Sequence, residues 1–120
     1  MIVYHGSKEK MVLANKISPR YGLVVLFFTN ELYLAKMYAG TNGHTYQAEL
    51  KADKEIDFKG GISHSPNFRN LIFRLSKEGY DVVAINNVLD RPSRYVPLEH
   101  ATIYVVFEPS KIKNFIECTL

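Results

Sequence analysis

The chain reads as an α+β domain on three observations. Short β-prone segments recur along it, two amphipathic segments carry helix caps and stops, and each helix is preceded by a strand-like segment. Its 120 residues and 47% hydrophobic content predict a single domain, 1–120, with room for one core. Any active site is then a cleft in that core.

Ile2 to His5 are apolar and β-prone and run into Gly6-Ser7, which predicts a first strand ending on His5. Leu23 to Thr29 form a continuous apolar run suited to a buried central strand. Asn30 is expected to cap a helix through Ala39, with Leu34, Met37 and Tyr38 on one face and Gly40 as its stop. Thr45 to Leu50 alternate polar and apolar, the period of a half-buried strand. Glu55 to Phe58 read as a short extended piece. The clearest helix follows: Ser65 as cap, Pro66 in the first turn, Phe68, Leu71, Ile72 and Leu75 on one face, and Gly79 at the end. Asp81 to Ile85 predict another strand, Asn86 to Pro97 a polar loop, and Ile103 to Phe107 a strongly β-prone strand that Pro109 ends before a short tail.

A formal charge of +3 biases the surface towards anions, yet Lys and Arg are scattered and form no run of the kind that marks a nucleic-acid tail. Cys118 is the one cysteine, which excludes an internal disulfide and a cysteine-based zinc cluster. The start MIVYHGS lacks a basic segment followed by a long apolar run, and no apolar stretch approaches the ~18 residues of a membrane span. The expectation is a soluble cytoplasmic protein with no membrane partner and no metal.

No HExxH, GxxxxGK[ST] or GxSxG spacing occurs, so zinc protease, P-loop and α/β-hydrolase readings lose their support. What remains is a set of polar and aromatic side chains at strand ends. His5 closes one strand, Phe27 and Phe28 close another on alternating faces, and Tyr38 follows on a helix. His44, His64 and His100 have no ligand spacing and read as scattered surface residues.

Tyr4-His5-Gly6-Ser7 resembles the first motif of the ADP-ribosyltransferases, a strand-end histidine followed by a small residue. Leu26-Phe27-Phe28-Thr29 to Ala35-Lys36-Met37-Tyr38-Ala39 resembles the second, in which an aromatic ends a strand and another follows eleven residues later on a helix. Ile103 to Ile112 resembles the third strand and its exit. The ordered set spans nearly the whole chain and is similar to that of diphtheria toxin, the poly(ADP-ribose) polymerases and the compact transferases of phage and bacterial polyvalent proteins.

The resemblance implies a small mixed-sheet core with two main helices flanking an NAD+ cleft. It implies that His5 bonds a ribose hydroxyl, the Gly6 backbone faces the nicotinamide carboxamide, Tyr38 stacks on the ring, and Phe27 takes the place of the family's triad tyrosine. Flat aromatic faces suit a cationic pyridinium, with stacking and cation-π attraction worth about 1–3 kcal/mol together. The serine that contacts the carboxamide in the polymerases falls on Ala35.

The family's catalytic glutamate falls on Ile103, so the triad reads His, Phe, Ile. Cleaving the glycosidic bond develops a cation that a carboxylate stabilises. Family members with an apolar residue there transfer single ADP-ribose units, with the acceptor's own carboxylate proposed to supply the charge. The resemblance therefore implies mono-ADP-ribosyl transfer from NAD+ to a macromolecule, with release of nicotinamide. Glu99 is the expected catalytic stand-in, and Glu108 a second candidate. A protein is the expected acceptor, with two other readings kept open: a non-catalytic NAD+- or partner-binding module, and nucleic acid as acceptor through the arginines and tyrosine of Asp90 to Tyr95.

Overall fold

The computed structural model describes residues 1–13, 17, 18 and 20–118. The fold is α+β: among the described residues one seven-stranded mixed sheet carries two helices. In chain order the elements are β1 (Ile2–Ser7), β2 (Leu26–Thr29), α1 (Leu32–Ala39), β3 (His44–Glu49), β4 (Lys54–Ile62), α2 (Pro66–Glu78), β5 (Val82–Asp90), β6 (Glu99–Val106) and β7 (Lys113–Glu117). The sheet order is β4-β5-β6-β2-β1-β3-β7, antiparallel except where β4 runs parallel to β5 across α2.

The registers align Ile56, Ile85, Ile103, Thr29, Tyr4 and Gln47 in one row across neighbouring strands. Residues opposite one another share a face, so this row identifies the side on which the helices lie. Phe68, Leu71, Ile72 and Leu75 of α2 pack there against Val83, Ile85, Ile103 and Val105. Ile72 and Leu75 are fully buried, each worth about 2 kcal/mol of apolar burial. The other face holds Val3, Phe28, Val82, Ala84, Tyr104 and Val106, covered in part by Leu13, Ala52 and Phe115.

Helix α2 follows its local signals: the Ser65 hydroxyl accepts from the Phe68 amide at 3.2 Å, and Gly79 ends the helix at φ 82°. Helix α1 differs from expectation. Its N-cap is Glu31, without a side-chain cap bond, while the Asn30 side chain accepts from the Thr102 amide at 2.9 Å and so ties the helix start to β6. A Cβ on Gly6 would stand 1.8 Å from the Ala35 carbonyl oxygen, so α1 lies on β1 at a distance only glycine permits.

The strand expected over Leu23–Thr29 begins at Leu26, because Val106 is the last β6 residue facing β2. The polar loop expected from Asn86 begins later. Strand β5 runs on to Asp90, with Val88, Leu89 and Asp90 opposite Ala101, His100 and Glu99. The Asn-Asn pair is a bulge, with the register shifting between Ile85 and Val88 and Asn87 at φ 58°. The short extended piece at Glu55–Phe58 belongs to the nine-residue β4. The expected tail contains β7, whose Phe115 stacks on Tyr46 of β3 with ring centroids 4.8 Å apart.

Candidate functional site

Strands β1 and β2 are neighbours, but only Tyr4 and Thr29 pair across them, whereas β1 pairs with β3 from Ile2 to Ser7. A cleft of about 300 Å³ lies beside this poorly paired junction, between α1 and α2. Its lining includes His5 and Gly6 of β1, Phe27 of β2, Ala35 and Tyr38 of α1, and Ile103 of β6. The tertiary fold thus gathers six of the residues singled out from the sequence. Glu99 is not in the lining; it is half-buried at the first position of β6, opposite Asp90. Glu108 caps the 3-10 turn Pro109–Lys111, accepting from the Ser110 amide at 3.4 Å. Its own amide faces the Asp81 carbonyl at the start of β5, roughly 30 Å along the strand from Asp90.

The His5 Nδ1 lies 2.5 Å from the Phe27 carbonyl oxygen. A carbonyl only accepts, so Nδ1 carries the hydrogen and, in the neutral ring, Nε2 is left as an acceptor. Burial lowers the His5 pKa below its ordinary 6.5, and the bond to Phe27 opposes that shift only in part. The neutral acceptor form therefore prevails at neutral pH, as binding a hydroxyl proton through Nε2 requires.

Phe27 and Phe28 point to opposite faces. Phe28 is buried with Val3 and Tyr104, and its ring borders His5 at 5.6 Å. Phe27 is half-buried in an aromatic wall, 5.5 Å from Tyr21 and 6.4 Å from Phe68 between ring centroids. Arg20 places its guanidinium 6.0 Å from the Tyr21 ring and brings positive charge to the rim.

The far end of the cleft is polar. Tyr38 donates its hydroxyl to Asp90 Oδ1 at 2.6 Å and lies 3.0 Å from the Arg91 carbonyl. Ser63 also donates to Asp90 Oδ1, as does the Arg91 amide at 2.8 Å. His64 donates to the Arg91 carbonyl and stands 3.7 Å from Asp90 Oδ1. Burial first, then the Asp90 charge, raises the Tyr38 phenol far above its ordinary 10, which keeps it a donor.

Sequence reasoning missed Asp90, Ser63, Arg20 and the cleft position of His64. Asp90 sat in the expected loop, yet it is the last residue of β5. His5, expected to end its strand, is instead followed in β1 by Gly6 and Ser7, which pair on with β3. Reading Val88-Leu89-Asp90 as a strand continuing past a bulge would have placed an acid at a strand end. His64 was expected to be a scattered surface residue; it is partly exposed but lines the cleft, because the turn from β4 into α2 folds over it.

Among the described residues no cluster of three or more His, Cys, Asp or Glu could hold a metal ion, and no helix is long and apolar enough to cross a membrane. Compared with known proteins, the chain matches no family model, no curated protein and no solved structure.

Proposed function

We propose that this chain is a mono-ADP-ribosyltransferase that binds NAD+ in the cleft between α1 and α2, transfers ADP-ribose to a macromolecule and releases nicotinamide. The observation that carries the reading is the convergence of His5, Gly6, Phe27, Ala35, Tyr38 and Ile103 on one cleft, although they come from four separate elements. Their chemistry suits the ligand: a neutral imidazole acceptor for a ribose hydroxyl, an apolar aromatic wall for the pyridinium, and Arg20 at the rim for the diphosphate. A volume of about 300 Å³ is at the small end for ligand sites, so the nicotinamide riboside half fills it and the adenosine half extends outside.

The acceptor in this reading is a cytoplasmic protein. The exposed Tyr95, with the Arg94 guanidinium 5.1 Å from its ring, favours nucleic acid as the alternative acceptor. The apolar Ile103, packed into the core, favours a second reading in which the cleft binds NAD+ without cleaving it.

Incubating the protein and a cell lysate with NAD+ labelled in the nicotinamide ring tests these readings together. Transfer predicts free labelled nicotinamide that His5→Ala abolishes. A rise in melting temperature with NAD+ but no nicotinamide release supports the binding module. Neither release nor stabilisation rules out both.

A further inference from the structure

We propose that Asp90 is the carboxylate this cleft sets against the positive charge of its ligand, supplying from β5 what a glutamate at Ile103 would supply from β6. The inference rests on the NAD+ reading above. Asp90 is the one acid among the lining residues, and it is only 5% exposed. A buried carboxylate is usually neutralised by Arg or Lys, because an unpaired charge away from water is costly. Here no such partner is within ion-pair distance among the described residues. The nearby Arg91 turns its guanidinium to the Val96 carbonyl, and the only basic side chain in range is the His64 imidazole at 3.7 Å.

Neutral donors hold the carboxylate in place instead. Ser63, Tyr38 and the Arg91 amide all donate to Oδ1, and none of them reaches Oδ2. No buried side-chain oxygen among the described residues lacks a partner, so Oδ2 keeps some accessible surface, on a residue that lines the cleft. The charge is therefore oriented by fixed dipoles without being neutralised, the arrangement that favours a cation arriving in the cleft. Tyr38 sets an aromatic ring directly beside it.

In the transfer step the bond between ribose C1′ and the nicotinamide nitrogen breaks, and both electrons go to the ring, which leaves as neutral nicotinamide. The positive charge moves to C1′ and the ribose ring oxygen. An acceptor lone pair then forms the new bond to C1′, and the acceptor's proton goes to water. Asp90 speeds this step by favouring the charge on the ribose over the charge on the ring. An acceptor then has no need to bring a carboxylate of its own.

Asp90→Asn keeps an oxygen that accepts from Tyr38 and Ser63 while removing the charge. With NAD+ labelled in the nicotinamide ring, kcat for release is expected to fall about 100-fold, with KM moving less than about threefold. Tyr38→Phe is the control, since it breaks the Tyr38–Asp90 bond and leaves the charge. If Asp90→Asn loses no more than Tyr38→Phe, Asp90 only positions Tyr38 and the proposal is overturned. A measurement on the unaltered protein covers failure of Asp90→Asn to fold. The cation of a pyrrolidine analogue of ribose, with nitrogen in place of the ring oxygen, should bind about tenfold more tightly than its neutral tetrahydrofuran counterpart, and equal affinities overturn the proposal. Unaltered protein that binds neither NAD+ nor the cation brings down the NAD+ reading as well. Normal turnover in Asp90→Asn brings down the assignment of Asp90 alone.

Discussion

The Tyr38 hydroxyl donates to Asp90 Oδ1 at 2.6 Å and joins α1 to the end of β5 across a cleft that neither element encloses by itself. Removing the hydroxyl leaves a buried carboxylate with one donor fewer. Tyr38→Phe should therefore lose about 1–3 kcal/mol of stability, read as a lower urea midpoint at unchanged m-value. Its ring remains, so NAD+ affinity should hold. Tyr38→Ala removes the ring too, and NAD+ affinity by calorimetry should weaken by about tenfold.

His5 couples stability to pH. Its ordinary pKa of 6.5 is lowered in the fold by burial, which outweighs the bond to the Phe27 carbonyl. Below about 6.5 the unfolded chain takes a proton that the folded chain refuses, so this contribution is complete above that pH and is lost as pH falls towards the lower, folded value. The melting temperature should drop between about pH 7.5 and about pH 5, and His5→Gln should shrink that drop. An equal drop in His5→Gln would show that His5 is not responsible.

Gly6 is required by packing, independently of any ligand. A Cβ there meets the Ala35 carbonyl oxygen at 1.8 Å and the Ala39 amide nitrogen at 2.9 Å, both backbone atoms that cannot rotate away. Gly6→Ala should cost about 3 kcal/mol, the upper end of the usual overpacking range. Denaturant titration checks the cost, and a melting temperature within experimental error of the unaltered protein would contradict the close approach of α1 to β1.

The bulge in β5 depends on Asn87 at φ 58°. A β-branched residue is strained in that left-handed conformation. Asn87→Val should lose about 1–2 kcal/mol, whereas Asn87→Gly should be close to neutral. If the two variants have the same urea midpoint, the backbone at this position is not left-handed.

The features legible in the sequence were local ones. Ser65, Pro66 and Gly79 bound α2 because a cap hydroxyl, a fixed φ and a left-handed glycine act within one turn of chain. The alternation in Thr45 to Leu50 marked β3 for the same reason. The misreadings came where a local signal met a distant partner. Asn86-Asn87 looked like a loop start, but pairing with β6 carries the strand past it to Asp90. The Asn30 side chain, a cap by its sequence position, is taken up by the Thr102 amide 72 residues away.

The sequence by itself determined that the chain is α+β and which face of α2 turns inward, since periodicity and capping act over a few residues. Only the tertiary structure decided which acid enters the cleft. Asp90 meets Tyr38 across 52 positions and Ser63 across 27, and contacts at that separation depend on strand order and register, which no local pattern encodes.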